Sequence, residues 1–414
     1  MTTAVETKLL AFGEARQLVE QYAARLTPTE PELVSLLEGL GLALAEELRA
    51  DRDFPPFARA TRDGYAVRSQ DVRNVPAVLH CIGELRAGAD VTETGIEVRP
   101  GECVEIMTGA PLPKGADAVL MVEYTERSDT TVTMKRSVRA GENVVARGAE
   151  ARLGDIMVPR GKRVNHANVA VAAAVGRAEV AVYRRPTVAI LATGDEIIDI
   201  NLPPGTNEIR NSNSYSLAAQ VYAAGGEARI LPVAPDRADE LEVLVRKGFE
   251  ADLLLITGGV SMGKYDLVEQ VLEKLGAQLF FTGVLIQPGK PLVFGEVSRA
   301  GKTTPFFGLP GNPVSTMVTF QLFARVVLDA LGGANPSPLS FAQARLRAGF
   351  NTKTGLTRFL PARLGGTLEV PEVDRVRWQG SGDLMAVSRA NCYIVVPADR
   401  ERFEAGEAVT ILPF

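Results

Sequence analysis

The chain has 414 residues, 46% hydrophobic and 23% charged, an ordinary globular composition that excludes a disordered chain and a fibrous repeat. Forty-five Lys and Arg against 50 Asp and Glu leave a net charge of −5, so no whole-chain field attracts nucleic acid or an anionic membrane. Three cysteines without a C-x-x-C and only two histidines exclude a disulfide framework or zinc ribbon and leave little for a histidine triad. Carboxylates, hydroxyls and backbone amides must carry the chemistry.

A chain of this length is expected to hold about two to four domains. Its first residues, MTTAVETKLLAFGEARQ, lack a basic stretch followed by an apolar run, and the expectation is a cytoplasmic protein. Residues 8–50 read as two amphipathic helices broken around Thr27-Pro28, with Thr29-x-x-Glu32 as a capping box for the second. From about 54 to 143 short β-like runs (AVLHCI, ECVEIM, AVLMVEY, TVTMKRSV) alternate with Gly and Pro, predicting a β-rich unit inserted between helical pieces. NHANVAVAAAVG (165–176) returns to helix and stops at Gly176.

From 186 the pattern becomes strands alternating with helices: TVAIL, a helix from about Ser212 to Ala224, ARILPV, a helix near 237–249, DLLLIT and a helix near 266–275. Such alternation predicts a parallel sheet covered on both faces, with ligands bound beyond the strands' C-terminal ends. VLIQ and PLVFGEV read as a hairpin, and PFFGL leads through PGNP into a helix with Asn312 as cap and Pro313 in the first turn. The tail, 340–414, reads as a small β-unit.

Three turns fall on one rim of that sheet: ATGDE (192–196), TGGVSMGKYD (257–266) and GLPGNP (308–313). Glycines there let backbone approach a ligand, and helix starts offer N–H donors to an anion. Gly258, Gly263 and Lys264 have the G-x-x-x-x-G-K spacing of a nucleotide phosphate loop, but Tyr265 stands where a Ser or Thr hydroxyl should meet magnesium. An ordinary phosphate loop is therefore rejected. Asp195, Glu196 and Asp266 bring acids to the rim, where they would repel one another unless a cation joins them; magnesium suits carboxylates combined with substrate phosphates. Against this, Asp195 and Asp266 could simply cap helices. Lys290 in QPGKP is a point charge suited to an oxyanion, although a lone loop lysine is commonly just solvated. Asp63 in TRDGYAV, and Thr108 and Gly109 in IMTGAPLP, read locally as a turn and a strand end.

Taken together, RDGYAV, IMTGAPLPKGADAV, RAGENV, YRRPTVAILATGDE, RNSNSY, TGGVSMGKYD, QPGKP, GLPGNPVS and ANCYIVVP resemble the molybdopterin molybdenumtransferases, the molybdenum insertase family that includes the gephyrin E region. The resemblance implies a multidomain α/β and β molecule: a split helical domain (1–50 and 144–177), a β-rich inserted domain (51–143), a three-layer α/β molybdopterin-binding domain (178–332) and a C-terminal β-barrel domain (333–414). It implies insertion of molybdate into adenylylated molybdopterin with magnesium-dependent release of AMP, in a homodimer whose site is shared between subunits. The molybdopterin adenylyltransferase is a further partner it suggests. By position it gives catalytic roles to Asp63, Thr108, Glu196 and Asp266, and metal contacts to Glu196, Asp236 and Asp266. Substrate contacts fall on Thr193, Gly194, Ser212, Gly258, Gly259, Ser261, Lys264, Lys290 and Asn312, with Pro310 and Pro313 shaping the loop. Departures are Gln287, where members often carry Lys, Arg62 before Asp63, and the segment after TGDE. Two other readings stay open: a molybdopterin adenylyltransferase, which usually lacks the β-rich insertion and the barrel, and a non-catalytic gephyrin-like scaffold.

Overall fold

The structure is a computed structural model, and it describes residues 9–90, 94–259, 267–299 and 301–414. The chain forms two compact units: Met1–Ala45 with Gly161–Asn165 and Val180–Phe414, and Glu46–Arg160 with His166–Glu179.

In the larger unit, alternating apolar residues build a six-stranded sheet in the order Glu227–Ile230, Thr187–Ala192, Leu253–Thr257, Lys302–Leu309, Val293–Arg299, Gln278–Phe281. The first four run parallel, and Val293–Arg299 runs antiparallel to both of its neighbours. Val188, Ile190, Leu253 and Leu255 face one apolar cluster while Ala189, Leu191, Leu254 and Ile256 face another. Both sheet faces are thus buried, as a parallel sheet requires. Helices Phe12–Ala23, Ser212–Ala223 and Pro313–Thr319 cover the first face; Ala238–Gly248 and Leu267–Lys274 cover the second. The result is the three-layer α/β arrangement expected from the alternation. Among the described residues Pro313–Leu331 alone is long and apolar enough to cross a membrane, but Val318, Leu322, Phe323 and Val327 are buried in this core.

Asp252 pins the start of the two central strands. Its Oδ2 accepts from the Thr187 amide at 2.8 Å, the Thr187 hydroxyl at 2.9 Å and Arg184 Nη2 at 3.1 Å. Burial works to raise this carboxyl, but the Thr187 hydrogen bonds and the Arg184 charge together hold it below its ordinary value.

The tail closes on itself. Strands Thr357–Gly366, Pro371–Arg375, Ala342–Leu346, Ala408–Pro413 and Cys392–Val396 form a ring in which the last pairs back to the first. Closure removes the free edges of a small sheet. Ile286–Gln287 adds in parallel beside Thr357–Arg358.

The smaller unit holds a mixed six-stranded sheet: Ala118–Met121, Gly64–Val67, Glu102–Ile106, Ala77–Leu85, Thr131–Met134, Thr125–Ser128. Tyr65 and Val67 pack into one cluster and Ala66 into another, so this sheet too is covered on both faces. Helix His166–Ala174 forms as read, with Gly176 at φ 74° beyond its end.

Two expectations fail. ELVSLLEGLGLALAEEL is not a helix: Pro31–Ser35 is a strand against Glu179–Tyr183, Ala43 and Leu44 bridge to Arg163 and Val182, and Leu48–Arg49 pairs with Ile156–Val158. Gly41 at φ 81° breaks the helical path, and Thr29, the supposed cap, donates instead to Arg184 O at 2.6 Å. The long-range pairs overrode a helical pattern of leucines. VLIQ and PLVFGEV also do not pair with each other. Pro288 and Gly289, at φ 110°, intervene, and Val293–Arg299 turns back on Lys302–Leu309 instead.

Asp252→Asn is expected to destabilise the larger unit at pH 7 by about 2 kcal/mol, the scale of hydrogen bonds to a charged acceptor. Because the folded carboxyl sits below its unfolded value, this stability is present above the unfolded value, near pH 4, and is lost as pH falls below it. Urea unfolding followed by Trp378 fluorescence at pH 7 and pH 3 should show the gap between variant and parent closing in acid.

Candidate active site

In the larger sheet the strand at Thr187–Ala192 lies between the strand that follows it and the strand at Leu253–Thr257. Connections leave these two neighbours in opposite directions, so a crevice opens beyond their carboxyl ends. The three turns read from the sequence start there: Thr193 after the first strand, Gly258 after the second and Pro310 after Lys302–Leu309.

Close backbone packing holds them together. The Thr193 amide donates to Thr257 O at 3.0 Å and the Gly258 amide to Leu309 O at 3.3 Å. Thr257 Oγ1 donates to Pro310 O at 3.2 Å and accepts from Asn213 Nδ2 at 3.0 Å, and that amide also reaches Gly311 O at 2.7 Å. Gly258 has φ 90°, and a Cβ there would meet Thr193 O at 2.5 Å; at Gly259, φ 62°, it would meet Thr193 Oγ1 and Val268 at 2.8 Å. Only glycine fits such approaches. Among the described residues, buried Thr193 Oγ1 has no hydrogen-bond partner, and Ser214 Oγ, in the first turn of helix Ser212–Ala223, is equally unsatisfied. An unmet buried hydroxyl beside a ligand crevice is a recognition group in waiting.

The acids fall close by. Ala234 bridges Thr193, and the Asp236 amide donates to Asp195 Oδ1 at 3.1 Å. The Asp236 carboxyl is held above its ordinary value, first by loss of surrounding water and then by the charges of Asp195 and Glu196. Glu196 folds back over Gly194, where a Cβ would meet its Oε2 at 2.5 Å. Asp195 caps no helix: TGDE leads into the short strand Ile197–Ile198, paired with Ile209–Arg210. Among the described residues no three His, Cys, Asp or Glu side chains are grouped to hold a metal alone.

Pro310, Asn312 and Pro313 stand where expected, Pro313 in the first helical turn. Asn312 takes the cap position with extended backbone but its side chain caps no amide, a correction to the cap expectation. The cap at the other helix is Asn211, which accepts from the Ser214 amide at 3.1 Å, leaving Ser212 exposed. Lys290 is exposed; Val284 N donates to its carbonyl at 2.9 Å. Ser261, Lys264 and Asp266 lie outside the described residues.

Sequence reading missed two groups. Asn213 was quoted only as part of RNSNSY, yet its amide ties two of the turns. Arg358, placed beside Gln287 by the parallel register, is 7% exposed, donates to Leu356 O at 3.0 Å and has no carboxylate partner among the described residues. Burial pulls its guanidinium below the ordinary value. A buried cation without a counter-charge favours an anionic visitor. Nothing local in TRFLPARL marks it, since only the pairing with 286–287 puts it beside the Lys290 segment.

In the smaller unit the structure joins Asp63 and Thr108. Strands Gly64–Val67 and Glu102–Ile106 run antiparallel with Gly64 opposite Ile106, which sets the preceding aspartate against the following threonine. Asp63 Oδ1 accepts from the Thr108 amide and hydroxyl, both at 2.7 Å, and these bonds hold the carboxyl below its ordinary value. The aspartate is therefore a fixed, ionised, exposed acceptor.

Family models match the chain along nearly its whole length: the MoeA N-terminal region (domains I and II) over 10–176, a probable molybdopterin-binding domain over 189–330 and the MoeA C-terminal region (domain IV) over 343–414. A molybdopterin molybdenumtransferase of Bacillus subtilis is 34% identical, covering 92% of this chain and 90% of its own. One of Haemophilus influenzae is 33% identical over 98% and 99%. The chain belongs to the molybdopterin molybdenumtransferase family. A solved molybdopterin biosynthesis MoeA protein of Pyrococcus horikoshii has the same architecture, with TM-score 0.70 and 31% identity over 98% of this chain and 99% of that one. Within this transferase family frame the split of the chain into a mixed β sheet, an α/β layer structure and a closed barrel is the expected one.

Gly258→Ala is expected to strain the crevice and cost roughly 1–3 kcal/mol, the usual range for a forced left-handed residue. At Gly311, where a Cβ would meet nothing nearer than 3.5 Å, alanine should be tolerated. Thermal unfolding of the two variants should separate them; equal melting points would count against the packing described for Gly258.

Proposed function

We propose that this protein is a molybdopterin molybdenumtransferase that accepts adenylylated molybdopterin and molybdate and releases AMP and molybdenum cofactor. The observation carrying this is the crevice beyond Thr193 and Gly258, where glycine backbone, an unmet buried hydroxyl and a like-charged acid group meet in a member of this family. Phosphoryl chemistry of this kind depends on positioning and charge rather than on a protein nucleophile, which suits a chain with two histidines and three dispersed cysteines.

The backbone at Gly258, Gly259 and Gly311 gives close approach to phosphate or pterin, and the Thr193 hydroxyl is free to donate or accept there. Glu196 and Asp236 offer hard oxygen donors whose mutual repulsion fits a divalent cation, and Asp266 is the further acid proposed to join them. Two carboxylates suffice when substrate phosphates complete the shell. Magnesium, when bound, would neutralise charge on the phosphoanhydride. Arg358 and exposed Lys290, on neighbouring segments, would hold the molybdate oxyanion, and Gln287 makes that side less positive than a lysine would. Asp63, fixed by Thr108, contributes a negative acceptor from the β-rich part.

We further propose a homodimer in which Asp63 of one subunit completes the crevice of its partner, because each half lacks what the other has: an oriented acid without glycine turns, and turns without that acid. The molybdopterin adenylyltransferase remains the proposed supplier of substrate. The reading as an adenylyltransferase itself is disfavoured by the complete barrel and β-rich sheet.

Purified protein is expected to release AMP from adenylylated molybdopterin only with magnesium and molybdate both present, and Glu196→Gln should lower that rate at least tenfold; AMP formation without molybdate would sink the assignment. For the shared site, Asp63→Ala and Glu196→Gln subunits, each inactive alone, should regain up to half the parental activity per confirmed heterodimer, since one of its two crevices then carries neither change.

A further inference from the structure

We propose that Cys81 and Cys103 are a redox-active pair that a hydroperoxide converts into a cross-strand disulfide. The two residues come from sequence-distant strands, Ala77–Leu85 and Glu102–Ile106, and stand directly opposite each other in parallel register. Neighbouring strands are about 4.8 Å apart, inside the roughly 4.4–6.8 Å that a disulfide spans between Cα atoms. The ladder shifts register immediately after Cys81, so the backbone on that side is not locked into a regular run. Cys81 is partly exposed and Cys103 buried, which divides the roles of attacking and resolving sulfur.

The surroundings agree with that division. The Cys81 thiol donates to Gly83 O at 3.5 Å, and burial, followed by the neighbouring Cys81 sulfur, pushes the Cys103 thiol up to about 12. Arg127, paired with the Glu105 carboxylate, also feels the Cys81 sulfur: charge interaction with that sulfur is the leading reason its guanidinium is held above its usual value, ahead of Tyr65 and Glu105.

The chemistry balances. The Cys81 thiol gives up its proton as its sulfur attacks the terminal oxygen of the hydroperoxide; an S–O bond forms, the O–O bond breaks and the alcohol, or water when the oxidant is hydrogen peroxide, leaves carrying that proton. Cys103 then gives up its proton as its sulfur attacks Cys81 sulfur; the S–S bond forms, the S–O bond breaks and water leaves. Two electrons pass from the sulfurs to the peroxide.

The test uses the reduced full-length chain treated with hydrogen peroxide, then digested without reductant. The expected result is a linked pair of peptides carrying Cys81 and Cys103, two hydrogens lighter than their sum, with free thiols under denaturing conditions falling from three to one and dithiothreitol restoring three. Cys392, buried in the barrel, is the thiol that stays. Cys81→Ser and Cys103→Ser should each abolish the linked peptide; if the buried Cys103 variant does not fold, Cys81→Ser alone decides. A count that stays at three, linkage to Cys392, or Cys81 stopping at sulfinic acid with Cys103 still free would overturn the proposal.

Discussion

Everything at the larger unit's rim depends on backbone meeting backbone without side chains between. Thr193 and Gly258 end adjacent parallel strands, and the carbonyl of one occupies the space where a Cβ on the other would sit. That approach brings the Pro310 and Gly311 carbonyls within reach of Thr257 and Asn213. Four chain segments thereby share one small set of hydrogen bonds, and their geometry moves as a unit.

The acids are organised differently. Asp195 accepts from the Asp236 amide, yet its charge and that of Glu196 both still bear on the Asp236 carboxyl. In the smaller unit Asp63 is satisfied by Thr108 and has no competing acid in its hydrogen-bond set. One unit stores unbalanced negative charge and the other presents a stabilised negative charge. These are distinct tools: the first calls for a counter-ion, the second orients a polar group.

Strand and helix periodicity in 186–331 was legible because a doubly covered parallel sheet writes near-continuous apolar runs, and the turns after TVAIL, DLLLIT and PFF announced the rim directly. The segment 31–50 misled because its leucine spacing is helical while its hydrogen bonds go to residues 154–183, far along the chain. Asp63 and Thr108, 45 residues apart, could not be joined from local pattern, since register between strands decides their meeting; only the family resemblance pointed to them. Arg358 was invisible for the same reason. Thr193 is legible as a turn residue, but that its hydroxyl lacks a partner among the described residues is a property of packing alone.

The long strand Thr357–Gly366 serves three neighbours along its length: Ile286–Gln287 at its start, Cys392–Val396 in the middle and Pro371–Arg375 at its end. Arg358 therefore faces the linker from the α/β sheet on one side and a closed ring on the other. Any change that shifts Thr357–Gly366 within the ring would also shift Arg358, so barrel packing and the position of that buried charge are coupled through one strand.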